Sequence, residues 1–389
     1  MGALAAIALL AQPLHLADAF ARARSRNPGL AAARESVRAA EAGVDAAGQL
    51  PNPTVGVSVG PDEPTVFGTI DLKLPVLGQR GTAIAAAERE VQAAQADAAA
   101  REVTLRAAVR RTYAALSAAQ ERARLAGEAF QLAQDLEQRA LARVQTGLAP
   151  QLEAVQAGLA RRRAAQERAD RGAALASARE ELGRLLGESD STALEAADAN
   201  FPLPPAPPLD ELLTRSARHP EVQSFQRRQD AALARAQRER AAIRPLPDVS
   251  LEFEKLQGQP SFGLRAGIAF ELPVLSWNGG KVREAQAQAQ EASALAQDAS
   301  VRRTSEARSA RARWDAASAR ARSFAEEIVP AAEQLVKMAR DAWELGRTPL
   351  TAVLQAEAEL TSARADARDA ALAAQLALAD MEESSGVAL

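Results

Sequence analysis

Residues 66–77 (VFGTIDLKLPVL) and 262–275 (FGLRAGIAFELPVL) end on the same four letters, and up to that point both alternate in polarity. In the first, Ile70, Leu72 and Leu74 fall on one side of an extended chain, and Thr69, Asp71 and Lys73 on the other. In the second, Leu264, Ala266, Ile268 and Phe270 oppose Arg265, Gly267 and Glu271. A period of two residues is that of a β-strand with unlike faces. Each stretch follows another alternating window, Thr54 to Val59 (TVGVSV) and Val249 to Glu254 (VSLEFE), which predicts two β-hairpins, 54–74 and 249–272. An apolar face backed by a charged one suits a half-buried sheet in water and also the wall of a membrane barrel. Asp71, Lys73, Arg265 and Glu271 therefore read either as ordinary surface residues or as the lining of a barrel lumen.

Outside these windows the chain is punctuated by proline, which ends or kinks a helix. None falls within 76–149, 151–201, 274–329 or 350–389. Those segments are rich in Ala, Glu, Gln, Arg and Leu, the strongest helix formers. Their apolar residues recur at three- and four-residue spacing, as in Leu132, Leu136, Ala140 and Val144. One narrow stripe per helix implies coiled-coil-like packing. A helix over 79–146 would be roughly 100 Å long, beyond an ordinary globular element. Pro330 falls inside a second long helix, expected over 280–345, where it removes a hydrogen bond. A kink that takes part in a movement and a static bend are both consistent with it.

The landmarks occur twice, in the same order. Asn27-Pro28 answers His219-Pro220, Pro51-Asn52-Pro53 answers Pro245-Leu246-Pro247, and Gly147 with Pro150 answers Gly346 with Pro349. The first repeat takes in 14–200, with a helix, the hairpin 54–74, a long helix 79–146 and a helix 150–187. The second takes in 209–386, with a helix, the hairpin 249–272, the long helix 280–345 and a helix 349–385. Between them, 201–208 (FPLPPAPP) is a stiff, extended linker. Residues 1–13 open on MGALAAIALLA, which reads either as the core of an export signal or as a misplaced start or helix end. Two hairpins supply four strands, whereas single-chain membrane barrels begin at about eight. If the hairpins sit in a membrane, several copies must donate strands around one axis.

Composition narrows the function. Aromatics make up 3% of the 389 residues and Cys is absent, so the core is Ala and Leu at close helix contacts, and large cofactor pockets are not expected. With 47 Lys+Arg against 50 Asp+Glu the net charge is -3, which lacks the basic footprint of a nucleic-acid binder. Zero Cys removes disulfides, thiolate nucleophiles, zinc-thiolate sites and a lipid anchor on an N-terminal Cys. His15 and His219 are the only histidines, and neither has a carboxylate or second His at ligand spacing. No catalytic residue, cofactor-binding residue or metal ligand is expected, and no enzyme.

The opening LHLADAFARARSRNPGL (14–30), the LPNP at 50–53, the LPVL closing each hairpin and GRTPLTAVLQAEAEL (346–360) follow one another across nearly the whole chain. Together they resemble the TolC-type outer membrane efflux family. The Asn-Pro opening, RHPEV (218–222) and IVPAAEQ (328–334) are most similar to its heavy-metal branch of CzcC-like and CusC-like channels. The resemblance implies a mainly α fold with a small membrane β part. It also implies a homotrimer, whose four strands per chain close a twelve-stranded outer membrane barrel that continues into a long α-helical barrel in the periplasm. The implied function is a passive outer membrane channel of a tripartite efflux pump. Its cargo, heavy-metal ions in that branch, would arrive from an inner-membrane pump through a periplasmic adaptor protein. Partners would be the other copies, the adaptor and outer membrane lipid, with the pump touched only indirectly. The rival readings, a soluble periplasmic coiled-coil scaffold or the adaptor itself, leave the four alternating windows and their duplication unexplained.

The same resemblance places Gly147, Pro150, Glu153, Gly346, Arg347 and Pro349 at the periplasmic tip where the adaptor docks, and Trp343, Ala352 and Gln355 at the aperture. Family members often carry acidic side chains at the last two positions, so an acidic gate is not expected here. Gly and Pro also have a plain structural reading, since Gly ends a helix in a left-handed conformation and Pro opens the next. Trp343, Arg347 and Glu153 read equally as packing or surface residues. The run Arg161-Arg162-Arg163 reads as a solvated helix face or as a docking patch.

Overall fold

Among the described residues the elements run α1 (Leu16–Arg26), α2 (Pro28–Gly48), β1 (Thr54–Val59), β2 (Val66–Lys73), α3 (Gln79–Gln145) and α4 (Gln151–Leu186), then α5 (Leu209–Ser216), α6 (Pro220–Ala241), β3 (Pro247–Lys255), β4 (Gly263–Phe270), α7 (Gly279–Ser323), α8 (Val329–Glu344) and α9 (Leu350–Ser385). The structure, a computed structural model, describes residues 13–61, 64, 66–197, 205–255, 258, 261–271 and 277–388. The apolar opening run, residues 201–204 of the linker, the second LPVL and the end of the hairpin 249–272 lie outside the described residues. The chain forms two compact units, one of residues 1–31, 101–219 and 301–389, the other of 32–100 and 220–300.

Three helices expected to be continuous are interrupted, each for a local reason. The first breaks at Asn27, whose ψ of 122° is extended, as the residue before a proline prefers. Its side chain then serves both sides of the break: Oδ1 accepts the Leu30 N–H at 3.1 Å, and Nδ2 donates to the Leu185 carbonyl at 2.9 Å. The helix expected from 209 is also interrupted before Pro220, giving α5 and α6. The rod expected over 280–345 is α7 and α8 with a π-helical turn, Phe324–Ile328, between them. Val329 donates to the Phe324 carbonyl, five residues back, and Pro330 has no N–H to give. The widened turn accommodates the proline ring without ending the rod.

In the second unit, β1 to β4 form one antiparallel sheet in the order β1-β2-β3-β4, so the two hairpins join along β2 and β3. The register sets Ile70 against Leu251 and Leu72 against Val249, with Val55 beyond Ile70 and Ile268 beyond Val249. All the large apolar residues but Phe67 thus share one face. No helix covers that face among the described residues: Val57 is 66% exposed, Leu264 74% and Ile268 67%. β1 and β4 are edges whose outer backbone groups have no strand partner among the described residues. Gly68 lies under the Phe253 ring, where an added Cβ would come within 2.0 Å of ring carbon.

The first unit has an ordinary core. Leu14, Ala19 and Ala23 pack with Val109, Tyr113 and Leu116 of α3 and with Leu182, Leu185 and Leu186 of α4. The Tyr113 hydroxyl donates to the Leu14 carbonyl at 2.8 Å, and Leu14 forms a parallel bridge with Ala196. The end of α9 is held by ions: Arg110 pairs with Glu382 at 2.8 Å with both side chains buried, and Arg111 pairs with Asp380 at 2.8 Å and with Glu383. Burial pulls the Arg110 guanidinium below its usual value, and the facing Glu382 opposes that shift. His219 is buried too, with Nε2 at 2.8 Å from the Glu383 carbonyl.

Three glycines give predictions. Gly187 ends α4 with φ +70°, and a Cβ there would lie 2.6 Å from the Arg26 carbonyl oxygen, while Gly172 inside α4 has nothing within 4 Å. Gly187→Ala should lower the unfolding free energy by about 1–3 kcal/mol, whereas Gly172→Ala should raise it by about 0.5–1 kcal/mol, both read from urea melts followed by helical circular dichroism. Gly68→Ala should displace the Phe253 ring at a cost of about 1–3 kcal/mol and cut the yield of membrane-inserted protein, which quantitative immunoblots of membrane fractions would show.

Candidate functional site

In the first unit, the segments joining α3 to α4 and α8 to α9 are the same turn built twice. Gly147 has φ +73° and Gly346 φ +69°. The Gly147 N–H bonds to the Val144 carbonyl at 3.0 Å and the Leu148 N–H to Arg143 at 2.9 Å. Around the second glycine, Gly346 bonds to Trp343 at 2.9 Å and Arg347 to Ala342 at 2.8 Å. This pair of bonds closes a helix on a left-handed residue. Neither glycine has an atom within 4 Å of an added Cβ, so glycine is present for its backbone freedom and not for want of room. Pro150 and Pro349, with φ -73° and -72°, sit at the N-caps of α4 and α9, and their carbonyls accept from Glu153 and Ala352.

Trp343 and Glu153, left open between packing and surface roles by the sequence, both make contacts within the chain. Trp343 is 3% exposed, enclosed by Leu136, Ala140, Ala157, Leu350 and Val353, so it packs the base of the turn. An indole of that size finds its hydrophobic contacts inside the chain. The Arg143 guanidinium lies 5.0 Å from the Trp343 ring centre and its Nε 3.9 Å from the Glu153 carboxylate. Glu153 thus faces Arg143 of its own chain. Arg347 is exposed and has no ionic partner among the described residues, and Leu148 and Leu345 beside the two glycines are 73% and 66% exposed. Ala352 is half-buried and Gln355 exposed, beside a groove of about 800 Å³ whose lining includes Leu132, Leu136 and Leu354. Of the arginine run, Arg161 pairs with Glu137 at 2.5 Å, while Arg162 and Arg163 are exposed.

In the second unit, the register gathers the charges on the face opposite the apolar one. Thr69 stands against Glu252, Asp71 against Ser250 and Lys73 against Asp248, and Arg265 is opposite Glu252. Arg265 reaches Glu252 at 3.4 Å and Glu254 at 3.7 Å. Asp71 is half-buried, and Lys73, Arg265 and Glu271 are exposed. The structure adds Asp248, Glu252 and Glu254 of β3 to the four residues named from sequence. Their period-two spacing was visible in the sequence, but only the β2–β3 register puts them beside Asp71. On this face Asp71, Asp248, Glu252 and Glu254 outnumber Lys73 and Arg265. Among the described residues no group of three or more His, Asp or Glu is placed to hold a metal ion.

A family model described as outer membrane efflux protein matches residues 20–188. The cobalt-zinc-cadmium resistance protein CzcC of Cupriavidus metallidurans is 29% identical over 358 residues, which cover 91% of this chain and 85% of that protein. The same fold is found in the solved structure of CusC, with a TM-score of 0.76 at 18% identity over 96% of this chain and 92% of CusC. It is found again in the outer membrane protein VceC of Vibrio cholerae, with a TM-score of 0.76 at 19% identity over 96% of each chain. The chain is thus similar to outer membrane efflux proteins, in sequence over residues 20–188 and in fold over nearly its whole length.

Proposed function

We propose that three copies of this chain form the exit duct of a tripartite export pump, and that its cargo is heavy-metal cations. The chain is an outer membrane channel with a helical extension into the periplasm. The observation that carries the trimeric duct is the sheet with an uncovered apolar face and two free edges. In lipid every backbone N–H and carbonyl must be paired, so such a sheet is tolerated only inside a closed barrel. Four strands from each of three copies close one, with the apolar face toward lipid and the charged face toward water.

The metal reading rests on the similarity to CzcC, whose name specifies cobalt, zinc and cadmium, and on the excess of carboxylates on the charged strand face. A fixed negative lining favours cations in transit without holding them. The exposed Leu148, Leu345 and Arg347 at the two turns are the surface offered to a periplasmic adaptor. The chain spends no energy itself and has no catalytic role in the cycle. The scaffold and adaptor readings gain nothing here, because a water-soluble sheet would have its apolar side covered.

Two measurements test the proposal. In planar bilayers the purified protein should conduct with a preference for cations, and Glu252→Lys combined with Glu254→Lys should lower the cation-to-anion permeability ratio several-fold. An unchanged ratio in the double variant would remove that face from the lumen. Cells lacking the chain should become more sensitive to cobalt, zinc or cadmium, and unaltered sensitivity to all three would overturn the cargo.

A further inference from the structure

The segments that join the sheet of the second unit to its helices gather at one end of it: 49–53 before β1, 74–78 after β2, 242–246 before β3, and Trp277 with Asn278 between β4 and α7. Leu50, Val76, Leu77 and Trp277 are 54%, 65%, 44% and 67% exposed there. With the adjoining helical turns, this collar takes in 49–53, 74–83, 238–246 and 277–284. Its cations are Arg80, Arg238, Arg240, Arg244, Lys281 and Arg283, all exposed and without an ionic partner among the described residues. Only two acids share these stretches, Glu239 and Glu284, and the Glu239 carboxylate already accepts from Asn278 Nδ2 at 2.6 Å. Earlier on α6 the arginines are paired, Arg228 with Asp97 at 2.8 Å and Arg235 with Glu90.

Two of these guanidinium groups are fixed by backbone and keep donors to spare. Arg80 Nε donates to the Gly48 carbonyl at 2.7 Å, which ties the end of α2 to the start of α3. Arg244 Nη1 donates to the Leu77 carbonyl at 2.6 Å, and Gln79 Nε2 donates back to the Arg244 carbonyl at 3.1 Å. The Arg244 group lies against Gly78, whose φ is +92° and where an added Cβ would come 2.5 Å from Nη1. Neither guanidinium makes a further hydrogen bond among the described residues. A bond to a carbonyl orients an arginine without cancelling its charge, and the rest of its planar fork suits phosphate oxygens. Exposed apolar side chains beside unpaired cations match the level of a bilayer where acyl chains give way to phosphate. The collar continues the apolar face of the sheet, so the surface that covers one covers the other.

We infer that this collar holds anionic phospholipid of the periplasmic leaflet, with Arg80 and Arg244 on the headgroup phosphate and Trp277 against the upper part of the acyl chains. Selectivity for a net negative lipid follows from the charge count, because a zwitterionic headgroup brings its own ammonium to compete with the arginines for the phosphate. The inference rests on the lipid-facing sheet proposed above and adds which lipid chemistry its periplasmic rim selects.

The scarcity of tryptophan makes the test direct, because Trp277 is the sole reporter once Trp314→Phe and Trp343→Phe are introduced. Lipids brominated near the top of their chains quench a tryptophan that they touch. In the full chain reconstituted into phosphatidylcholine bilayers, brominated phosphatidylglycerol should quench Trp277 with an apparent affinity roughly three- to ten-fold above that of brominated phosphatidylcholine. Arg80→Gln combined with Arg244→Gln should remove that preference, while Arg80→Lys combined with Arg244→Lys should keep most of it. An equal loss in the lysine pair would leave the two arginines a structural role alone and overturn the site. Inorganic phosphate at matched ionic strength should not change the preference, and its abolition would assign the collar to a free anion in place of a lipid. Ile268→Trp, in a chain whose own tryptophans are replaced by Phe, reports on the sheet and should be quenched equally by both lipids. No preference at Trp277 with Ile268→Trp still quenched would overturn the headgroup site and leave the barrel standing. A Trp277 that neither lipid quenches beside a quenched Ile268→Trp would also overturn it, giving the collar to a protein. An unquenched Ile268→Trp would overturn site and barrel together.

Discussion

Backbone hydrogen bonding at the free edges of β1 and β4 is the constraint on which the rest depends. A sheet edge offers a row of unpaired N–H and carbonyl groups, and soluble proteins blunt such edges with short strands, charges or a covering helix. Here β1 carries only Thr, Val, Gly and Ser, and β4 carries Leu, Ile and Phe on its uncovered side. Neither edge is protected in the manner of a soluble protein. The pairing that is missing within one chain must come from others, and the apolar face must meet something other than water. Both requirements are satisfied by a closed barrel in lipid.

The helices solve a different problem with a different vocabulary. Ala is the commonest buried residue along α3, α7 and α9, most of all in α7, which brings helix axes close without large side chains. Close packing of small residues leaves little hydrophobic area per residue, and the structure supplements it where loops and helix ends converge. Tyr113 ties down Leu14, the Arg110–Glu382 pair ties down the end of α9, and Asn27 bridges α1, α2 and α4. Each of these is a polar contact made inside the protein, where leaving one partner unpaired is costly. The two glycine turns fix where the long helices reverse and leave Leu148 and Leu345 bare beside them.

Much of this was legible in the sequence because its signals are local. Alternation in TVGVSV and VFGTIDLKL fixed strand faces, proline-free runs fixed long helices, and the Gly-to-Pro spacing in the two tips fixed a repeated turn that recurs bond for bond. What was not legible depended on neighbours far along the chain. Whether Trp343 packs or faces solvent is left open by the sequence until Leu136 and Val353 are seen to close around it. The sequence does not name a partner for Glu153, and the α3–α4 reversal brings Arg143 beside it. Glu252 and Glu254 share a strand face with Asp71 only through the β2–β3 register, which joins residues from opposite halves of the chain. The π-turn before Pro330 was foreshadowed by the proline, but its form follows from helix geometry that composition does not encode.

Amide hydrogen exchange in the detergent-extracted protein bears most directly on the central claim. If neighbouring copies complete the sheet, the amides of 54–59 and 263–270 exchange as slowly as those of 247–255 at the centre. If the sheet ends where one chain ends, the outer amides of β1 and β4 exchange at near-unprotected rates while β2 and β3 remain slow, and the account of a shared barrel fails.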